Sequence, residues 1–262
     1  MKDNLFDLTG KVAVVTGGAG HLGSALSEIL AAYGATVVIA SRDGAKCKNL
    51  ANKLNIEYGG NHWWGILDIL DSDSVNYFFS SVIERFKKID ILINNASTGV
   101  ASQLENYTEE DWLKGIDGNI NAYYRCIRAA LPHMLDAQTG NIINIASMYG
   151  MVSPNPEIYG DSGQNNPANY GASKAAIIQL SKYIACHYGS KGIRCNSISP
   201  GPFPKEVVQQ NQEFIKKLSE KTALGRIGKP EELKGVLLLL ASDASSFITG
   251  QNIAVDGGWT AW

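Results

Sequence analysis

Lys11-Val-Ala-Val-Val-Thr16-Gly-Gly-Ala-Gly-His-Leu-Gly23 is the stretch that decides the fold. A short apolar, β-branched run breaks into Gly17, Gly18, Gly20 and Gly23, and a helical pattern begins at His21. A continuous apolar run of this length reads as a parallel strand covered on both faces. Glycines directly after it permit a tight turn, close approach of backbone to a pyrophosphate, and tight packing of helix on strand. The helix N-terminus then faces the anion. A glycine-rich turn alone is a weak signal, but its place between strand and helix makes it a strong one.

Working outward, six more strand-like runs follow: Ala35–Ala40, Trp63–Leu67, Ile89–Ile93, Asn141–Ala146, Arg194–Ile198 and Asn252–Val255. Helical patterns alternate with them at His21–Tyr33, Asp43–Asn55, Ser72–Phe86, Glu109–Met134, Asn169–Tyr188 and Pro230–Ala241. This alternation predicts an α/β fold, a Rossmann-type doubly wound parallel sheet of seven strands with helices on both faces. The chain of 262 residues reads as one domain over 1–262. Its loop-rich stretch, Val152–Pro167, is too long for an idle connection in a compact domain.

The chemistry-bearing motif is Tyr170-Gly-Ala-Ser-Lys174. A Tyr and a Lys four residues apart stack on one helix face. An ammonium beside a phenol stabilises the phenolate, so Lys174 is expected to draw the Tyr170 pKa down from about 10. Such a Tyr can donate or accept a proton near neutral pH. With Ser147 upstream and a nucleotide turn in the same chain, this suggests hydride transfer at a carbonyl or alcohol. A lone Tyr-x-x-x-Lys is more often packing with a snorkelling amine. A lone Ser after a strand is more often a cap.

The second strand ends Ile39-Ala40-Ser41-Arg42-Asp43. An acidic residue at its end would hold the ribose 2′-OH of NAD, and Ser41 stands there instead. Arg42 suits a 2′-phosphate and stacks on adenine, which predicts NADP(H) over NAD(H). The alternative leaves Arg42 a solvated surface residue and Asp43 a helix N-cap.

Taken together and in order, these residues resemble the short-chain dehydrogenase/reductase family in its compact single-domain branch, along nearly the whole chain. Thr16–Gly23 resembles its TGxxxGxG, with His21 where the middle glycine usually sits. His21 either reaches a cofactor phosphate or packs as a neutral ring. Asn94-Asn95-Ala96-Ser97 resembles NNAG with Ser for Gly. The resemblance implies catalytic roles for Asn119, Ser147, Tyr170 and Lys174, with Asn119 positioning a water that links Lys174 to solvent. It implies a dinucleotide site built from Gly17, Gly20, His21, Leu22, Gly23, Ser41, Arg42, Asp68, Ile69, Asn95, Ala96, Tyr170, Lys174, Pro200 and Gly201. Asp68 would approach the adenine amine, Lys174 the nicotinamide ribose, and Pro200-Gly201 would border the nicotinamide. Ile248–Gly258 resembles the family's C-terminal strand signature.

One spacing departs from the family. Tyr170 follows Ser147 by 23 residues, a longer gap than usual. Tyr159 is the rival by spacing, but Gly163 occupies its i+4 position, so no Lys could tune it. The insertion, 148–168, is expected over the active-site mouth, and 202–222 as a substrate lid. The substrate set expected there is Ser147, Tyr149, Tyr159, Tyr170 and Phe203. Ser153, Asn155, Glu157, Tyr159, Asp161, Gln164, Asn165 and Asn166 make the insertion polar, which favours a hydroxylated substrate over an acyl chain. The Ser147–Pro156 segment looks like gluconate 5-dehydrogenase-like and surface-glycan-modification reductases, pointing to a sugar, sugar-acid or polyol. A 3-oxoacyl-(acyl-carrier-protein) reductase is the alternative enzyme. Lys205, Lys216, Lys217, Lys221 and Arg226 near the lid could meet an acidic carrier, though charge runs are usually solvated faces. An NADP(H)-binding regulatory or scaffold protein is the alternative outside catalysis.

Composition bounds the rest. A net charge of -2 gives no electrostatic footprint for nucleic acid or a membrane surface. No apolar run is long enough to span a bilayer, and the opening residues are too polar for a signal peptide. Cys47, Cys126, Cys186 and Cys195 are scattered and read as buried reduced thiols, which suggests a cytoplasmic protein. His21, His62, His133 and His187 are dispersed without ligand spacing, so no metal is expected, and no GxSxG elbow supports hydrolysis. Assembly as a homotetramer or homodimer is implied by the family. Trp259-Thr-Ala-Trp262 is an unusually aromatic terminus, expected to dock at a subunit interface. Ile177, Leu180, Ile184 and Tyr188 form an apolar stripe for the sheet or a partner subunit.

Overall fold

The computed structural model describes residues 5–100, 102–160 and 165–262. Its strands are β1 Val12–Thr16, β2 Thr36–Ser41, β3 Trp63–Ile66, β4 Ile91–Asn94, β5 Gly140–Ile145, β6 Ile193–Pro200 and β7 Asn252–Val255. They form one seven-stranded sheet in the order β3-β2-β1-β4-β5-β6-β7. Every pairing is parallel, with Val14 opposite both Val38 and Leu92. The order reverses between β1 and β4. A ligand crevice opens at such a switch point, beyond the carboxyl ends of the strands.

Why β1 lacks an alternating pattern is visible in its neighbours. Val12 and Val14 pack into the core on one face of the sheet, under α3 (Ser72–Phe86), α5 (Ala122–Asp136) and α7 (Ala168–Tyr188). Ala13 and Val15 pack into the other, under α1 (Gly23–Ala32), α2 (Gly44–Tyr58) and α10 (Lys234–Ala241). Both faces are dry, so every position is apolar. Ile177 and Ile184 of α7 point into the first core. Phe78 and Phe79 are buried there too, with Trp63 stacked on Phe78.

A third, smaller cluster sits above the strand ends. Met148 and Tyr149 after β5, Ile158 of α6 (Pro156–Tyr159), Phe214 and Leu218 of α9 (Gln212–Glu220), and Trp259 meet there, with Val208 of α8 (Glu206–Gln209) packed against them. Trp259 packs edge-on against Tyr149, with ring centroids 6.3 Å apart. Trp259 therefore docks within its own chain, while Trp262 stays 80% exposed.

Three local expectations change. The stretch 109–134 is two helices, α4 (Glu109–Ile116) and α5, joined by a π-helical turn at Asp117–Asn121. The insertion carries the single turn α6, N-capped by Asn155. Asp161 and Gln164 lie outside the described residues. Cys186 is exposed, so only three of the thiols are buried. Burial pushes the Cys126 and Cys195 thiols up to about 12.

Candidate active site

The glycine turn owes its shape to what lies beneath it. Gly17 has φ +63°, a left-handed conformation that disfavours a side chain. A Cβ at Gly23 would sit 2.0 Å from the Gly17 carbonyl oxygen, so only glycine lets α1 close on the turn. Thr16 and Asn95 clamp the turn across the switch point. The Thr16 hydroxyl accepts from the Asn95 and Ala96 amides at 3.0 and 3.1 Å. The Asn95 amide donates to the Thr16 and Gly17 carbonyls at 3.0 and 3.1 Å.

Above the turn lies a cavity of about 380 Å³. Gly17, Gly20, His21, Leu22, Ser41, Arg42, Ile69, Asn95 and Ala96 line it, as do Ser97 and Lys205, which the sequence reading did not place in the dinucleotide site. Asp68 does not line it: its carboxylate accepts the Leu70 amide at 3.0 Å, while its neighbours Leu67 and Ile69 face the cavity. The Ser41 hydroxyl is held by Cys47 Sγ at 3.0 Å, and Asp43 is the N-cap of α2, accepting the Lys46 amide. His21 Nε2 lies 3.1 Å from the Phe203 carbonyl, so the imidazole ties the turn to the segment after β6.

This cavity runs into two others. One of about 170 Å³ shares Leu22, Asn95 and Phe203 with it and adds Ser147, Tyr170, Lys174, Pro200 and Gly201. The next, about 250 Å³, shares Ser147, Tyr170, Gly201 and Phe203 and adds Tyr149, Tyr159 and Asn166. The residues expected for cofactor, chemistry and substrate thus fall along one groove, apart from Asp68, Asn119 and the buried Gly23.

The electrostatics of Tyr170 and Lys174 differ from the i,i+4 reading. Lys174 is 2% exposed. Its ammonium donates to the Ile145 carbonyl at 2.8 Å and the Tyr123 hydroxyl at 3.3 Å. Burial lowers its pKa from 10.5 to about 7. The Tyr170 phenol is pushed above its ordinary 10 by burial, opposed by a hydrogen bond with Ser147. The expected depression of Tyr170 is therefore absent: Lys174 Nζ stands 5.4 Å from the Tyr170 ring centre, but the site is too dry to favour either charged form. Tyr170 keeps its proton near neutral pH.

Asn119 sits in the π-helical turn. Its side-chain amide donates to the Thr98 and Gly115 carbonyls at 3.1 and 2.9 Å, and its buried side-chain oxygen has no partner among the described residues. One turn further on, Tyr123 of α5 touches Lys174, and it also donates to the Ile145 carbonyl at 2.8 Å. No sequence signal announced Tyr123, because 51 residues separate it from Lys174. Among the described residues, no group of three or more His, Cys, Asp or Glu is placed to hold a metal, and no helix is long and apolar enough to cross a membrane.

A backbone cradle at the switch point, opening onto a serine, a tyrosine and a buried lysine, marks a nicotinamide-dependent oxidoreductase of the doubly wound α/β class. The chain belongs to the short-chain dehydrogenase/reductase family, and the family model described as enoyl-(acyl carrier protein) reductase matches residues 17–260. It is 33% identical over 252 residues to a 3-oxoacyl-(acyl-carrier-protein) reductase of Thermotoga maritima, covering 96% of this chain and 98% of that protein. It is 34% identical over 260 residues to the gluconate 5-dehydrogenase of Gluconobacter oxydans, covering 98% and 97%. A solved gluconate 5-dehydrogenase from Burkholderia cenocepacia J2315, in complex with NADP and tartrate, superposes with a TM-score of 0.89 at 30% identity, covering 98% of each chain. The protein is thus an oxidoreductase acting on CH–OH groups, with a small-molecule substrate.

Proposed function

We propose that this protein is an NADP(H)-dependent reductase that interconverts a ketone and a secondary alcohol on a small, hydroxylated substrate of the sugar, sugar-acid or polyol kind. The observation that carries this reading is the cleft of about 250 Å³ beside Ser147 and Tyr170, lined by phenols, the Asn165 and Asn166 amides and apolar side chains.

The groove fits a dinucleotide. Its walls carry a glycine cradle that a Cβ would fill, and Arg42, which makes no hydrogen bond or ion pair within the described chain. Gly17, Gly20, His21 and Leu22 would hold the phosphates and Arg42 a 2′-phosphate. Tyr170, Lys174, Pro200 and Gly201 would border the nicotinamide. A bound nicotinamide supplies the hydride. The chain supplies the rest. Tyr170 holds its proton at neutral pH and is placed to give it to the carbonyl oxygen. The Ser147 hydroxyl, already hydrogen-bonded to Tyr170, stabilises charge developing on that oxygen. Lys174 steadies the phenolate left behind, with the Tyr123 hydroxyl and Ile145 carbonyl holding its ammonium.

The second reading is 3-oxoacyl-(acyl-carrier-protein) reductase, favoured by the similar identity of the Thermotoga maritima enzyme. Against it, three of the five cations expected to meet an acidic carrier are already paired: Lys216 with Glu220, Lys217 with Glu213, and Arg226 with Glu232. The test follows NADPH and NADH oxidation against keto-sugars, keto-acids and an acetoacetyl thioester, with Tyr170→Phe beside it. The expected result is NADPH-dependent reduction of a keto-sugar or keto-acid, lost about a thousandfold in Tyr170→Phe. Turnover of the thioester alone selects the second reading. Tight NADPH binding with no turnover would leave a regulatory or scaffold role.

A further inference from the structure

Ser41 and Cys47 form a polar pair at the β2 end of the groove that the chemistry above leaves unused. Ser41 closes β2, is half-buried and lines the nucleotide cavity beside Arg42. Cys47 lies one turn into α2 and is fully buried, in the core that also holds Val37, Ile39, Ala51 and Leu54. Its Sγ stands 3.0 Å from Ser41 Oγ. An apolar side chain would fill this core place equally well, so the sulfur-to-hydroxyl contact calls for a reason of its own.

The reason lies in where the Ser41 proton can go. Ser41 Oγ accepts the Asp43 amide at 3.2 Å. The Asp43 carbonyl is a poor taker for the Ser41 proton. It stands 3.4 Å away, long for a hydroxyl donor, and it already accepts the Cys47 amide at 3.1 Å. The contact with sulfur has two settings: Ser41 donates to Cys47, or Cys47 donates to Ser41. A phosphate selects between them. It only accepts, so a hydroxyl beside it must give its proton outward, and the thiol must then donate to the hydroxyl oxygen. Burial pushes the Cys47 thiol above its ordinary range, so it keeps a proton to give. A ribose 2′-OH both donates and accepts, and imposes neither setting. The Asp43 carboxylate does not compete for the Ser41 proton, because the Lys46 amide and ammonium hold it at 3.0 and 2.9 Å.

We propose that Cys47 is a positioning residue for nucleotide selection: its thiol donates to Ser41 Oγ and so turns the Ser41 proton towards a 2′-phosphate held by Arg42. Arg42 supplies the charge, and the Cys47–Ser41 pair supplies a directed donor beside it. This rests on the NADP(H) reading and deepens it.

The experiment titrates NADPH and NADH calorimetrically into the full chain and reads the ratio of their affinities. Ser41→Ala should lower the NADPH-to-NADH ratio about tenfold, since it removes a hydrogen bond to a charged group. Cys47→Val keeps the apolar volume and removes the donor, and should lower the ratio about threefold. Cys47→Ser keeps a donor and should hold the ratio within about twofold of wild type. In a Ser41→Ala background, Cys47→Val should leave the ratio where it is, because a residue that acts through Ser41 has nothing left to act on. The wild-type chain gives a second readout that needs no variant to fold. Its S–H stretching band should move to lower frequency when NADPH replaces NADH, as the thiol becomes a donor.

A high wild-type ratio that Cys47→Val leaves unmoved overturns this inference and leaves the NADP(H) reading standing. Equal weakening of both nucleotides in Cys47→Val and Cys47→Ser overturns it too, and makes Cys47 a packing residue. A threefold loss that persists in the Ser41→Ala background shows that Cys47 does not act through Ser41, and also overturns it. So does an S–H band that is the same with either nucleotide. A wild-type ratio near one, or no binding of either nucleotide, overturns the NADP(H) reading and this inference together.

Discussion

The two ends of the groove are made differently. The nucleotide end is built largely from backbone, by a glycine turn, the ends of β1 and β4, and the segments after β2 and β3, with Phe203 and Lys205 from the segment after β6 closing one wall. The substrate end is built from side chains that converge from the end of β5, the insertion, the segment after β6, and α9. Backbone sites are written in short contiguous motifs, because glycine is demanded at fixed offsets. Side-chain sites are written in tertiary contacts, and a sequence shows only their ingredients. Lys174 stands where the two ends meet.

Lys174→Met gives the largest expected break. Turnover should fall about a thousandfold, because the phenolate left after proton transfer loses its cation. Stability should move the other way. A Lys with its pKa held at about 7 binds fewer protons in the folded protein than in the unfolded one between about pH 7 and 10.5. Wild-type stability therefore rises with pH across that window, and the penalty of burying the ammonium is fully present below it. The Met variant escapes the penalty, and Tyr123 still donates to the Ile145 carbonyl, so no buried acceptor is stranded. Its Tm should exceed wild type by roughly 2–6 °C at pH 7. That gap should close towards pH 10 in thermal melts. A Tm below wild type at pH 7 would mean that Lys174 is a structural cation.

Gly23→Ala comes next and tests the backbone claim directly. The Gly17 carbonyl must retreat from the new methyl, which is expected to cost about 1–3 kcal/mol of stability and roughly a hundredfold in NADPH affinity by calorimetric titration. Gly189→Ala is the control: nothing lies within 4 Å of a Cβ there, so stability should stay within about 0.5 kcal/mol. Equal behaviour of the two variants would deny that the turn is sterically closed.

What was legible in the sequence follows the same division. Seven strands, the glycine turn and the doubly wound parallel sheet could be read because strands dry on both faces are continuous apolar runs. Element boundaries moved by a few residues. The π-helical turn at Asp117–Asn121 was hidden, since one extra residue in a helix barely disturbs an i, i+3, i+4 pattern. The i,i+4 spacing put Tyr170 beside Lys174 correctly, but spacing says who is near and not how dry the place is. Burial reverses the expected pKa shift of Tyr170. Tyr149 and Tyr159 were visible as phenols in a polar insertion. Their 3.0 Å hydroxyl contact needed the fold.

Arg42→Ala is the smallest effect and the sharpest on cofactor choice. Arg42 is exposed, lines the nucleotide cavity and carries no ion pair within the described chain, so its charge is free for a ligand. A guanidinium on a phosphate is worth about 1.5–3 kcal/mol. Solvent screening at this exposed position puts the expected loss of NADPH affinity at the lower end, about tenfold. NADH affinity should not change, because the ribose 2′-OH offers no charge to lose. Raising salt should erode the wild-type preference and leave the variant flat. If both nucleotides weaken together, Arg42 acts on the shared adenosine by stacking and the 2′-phosphate is read elsewhere. Lys205, the other cation lining that cavity, would be the residue to change next.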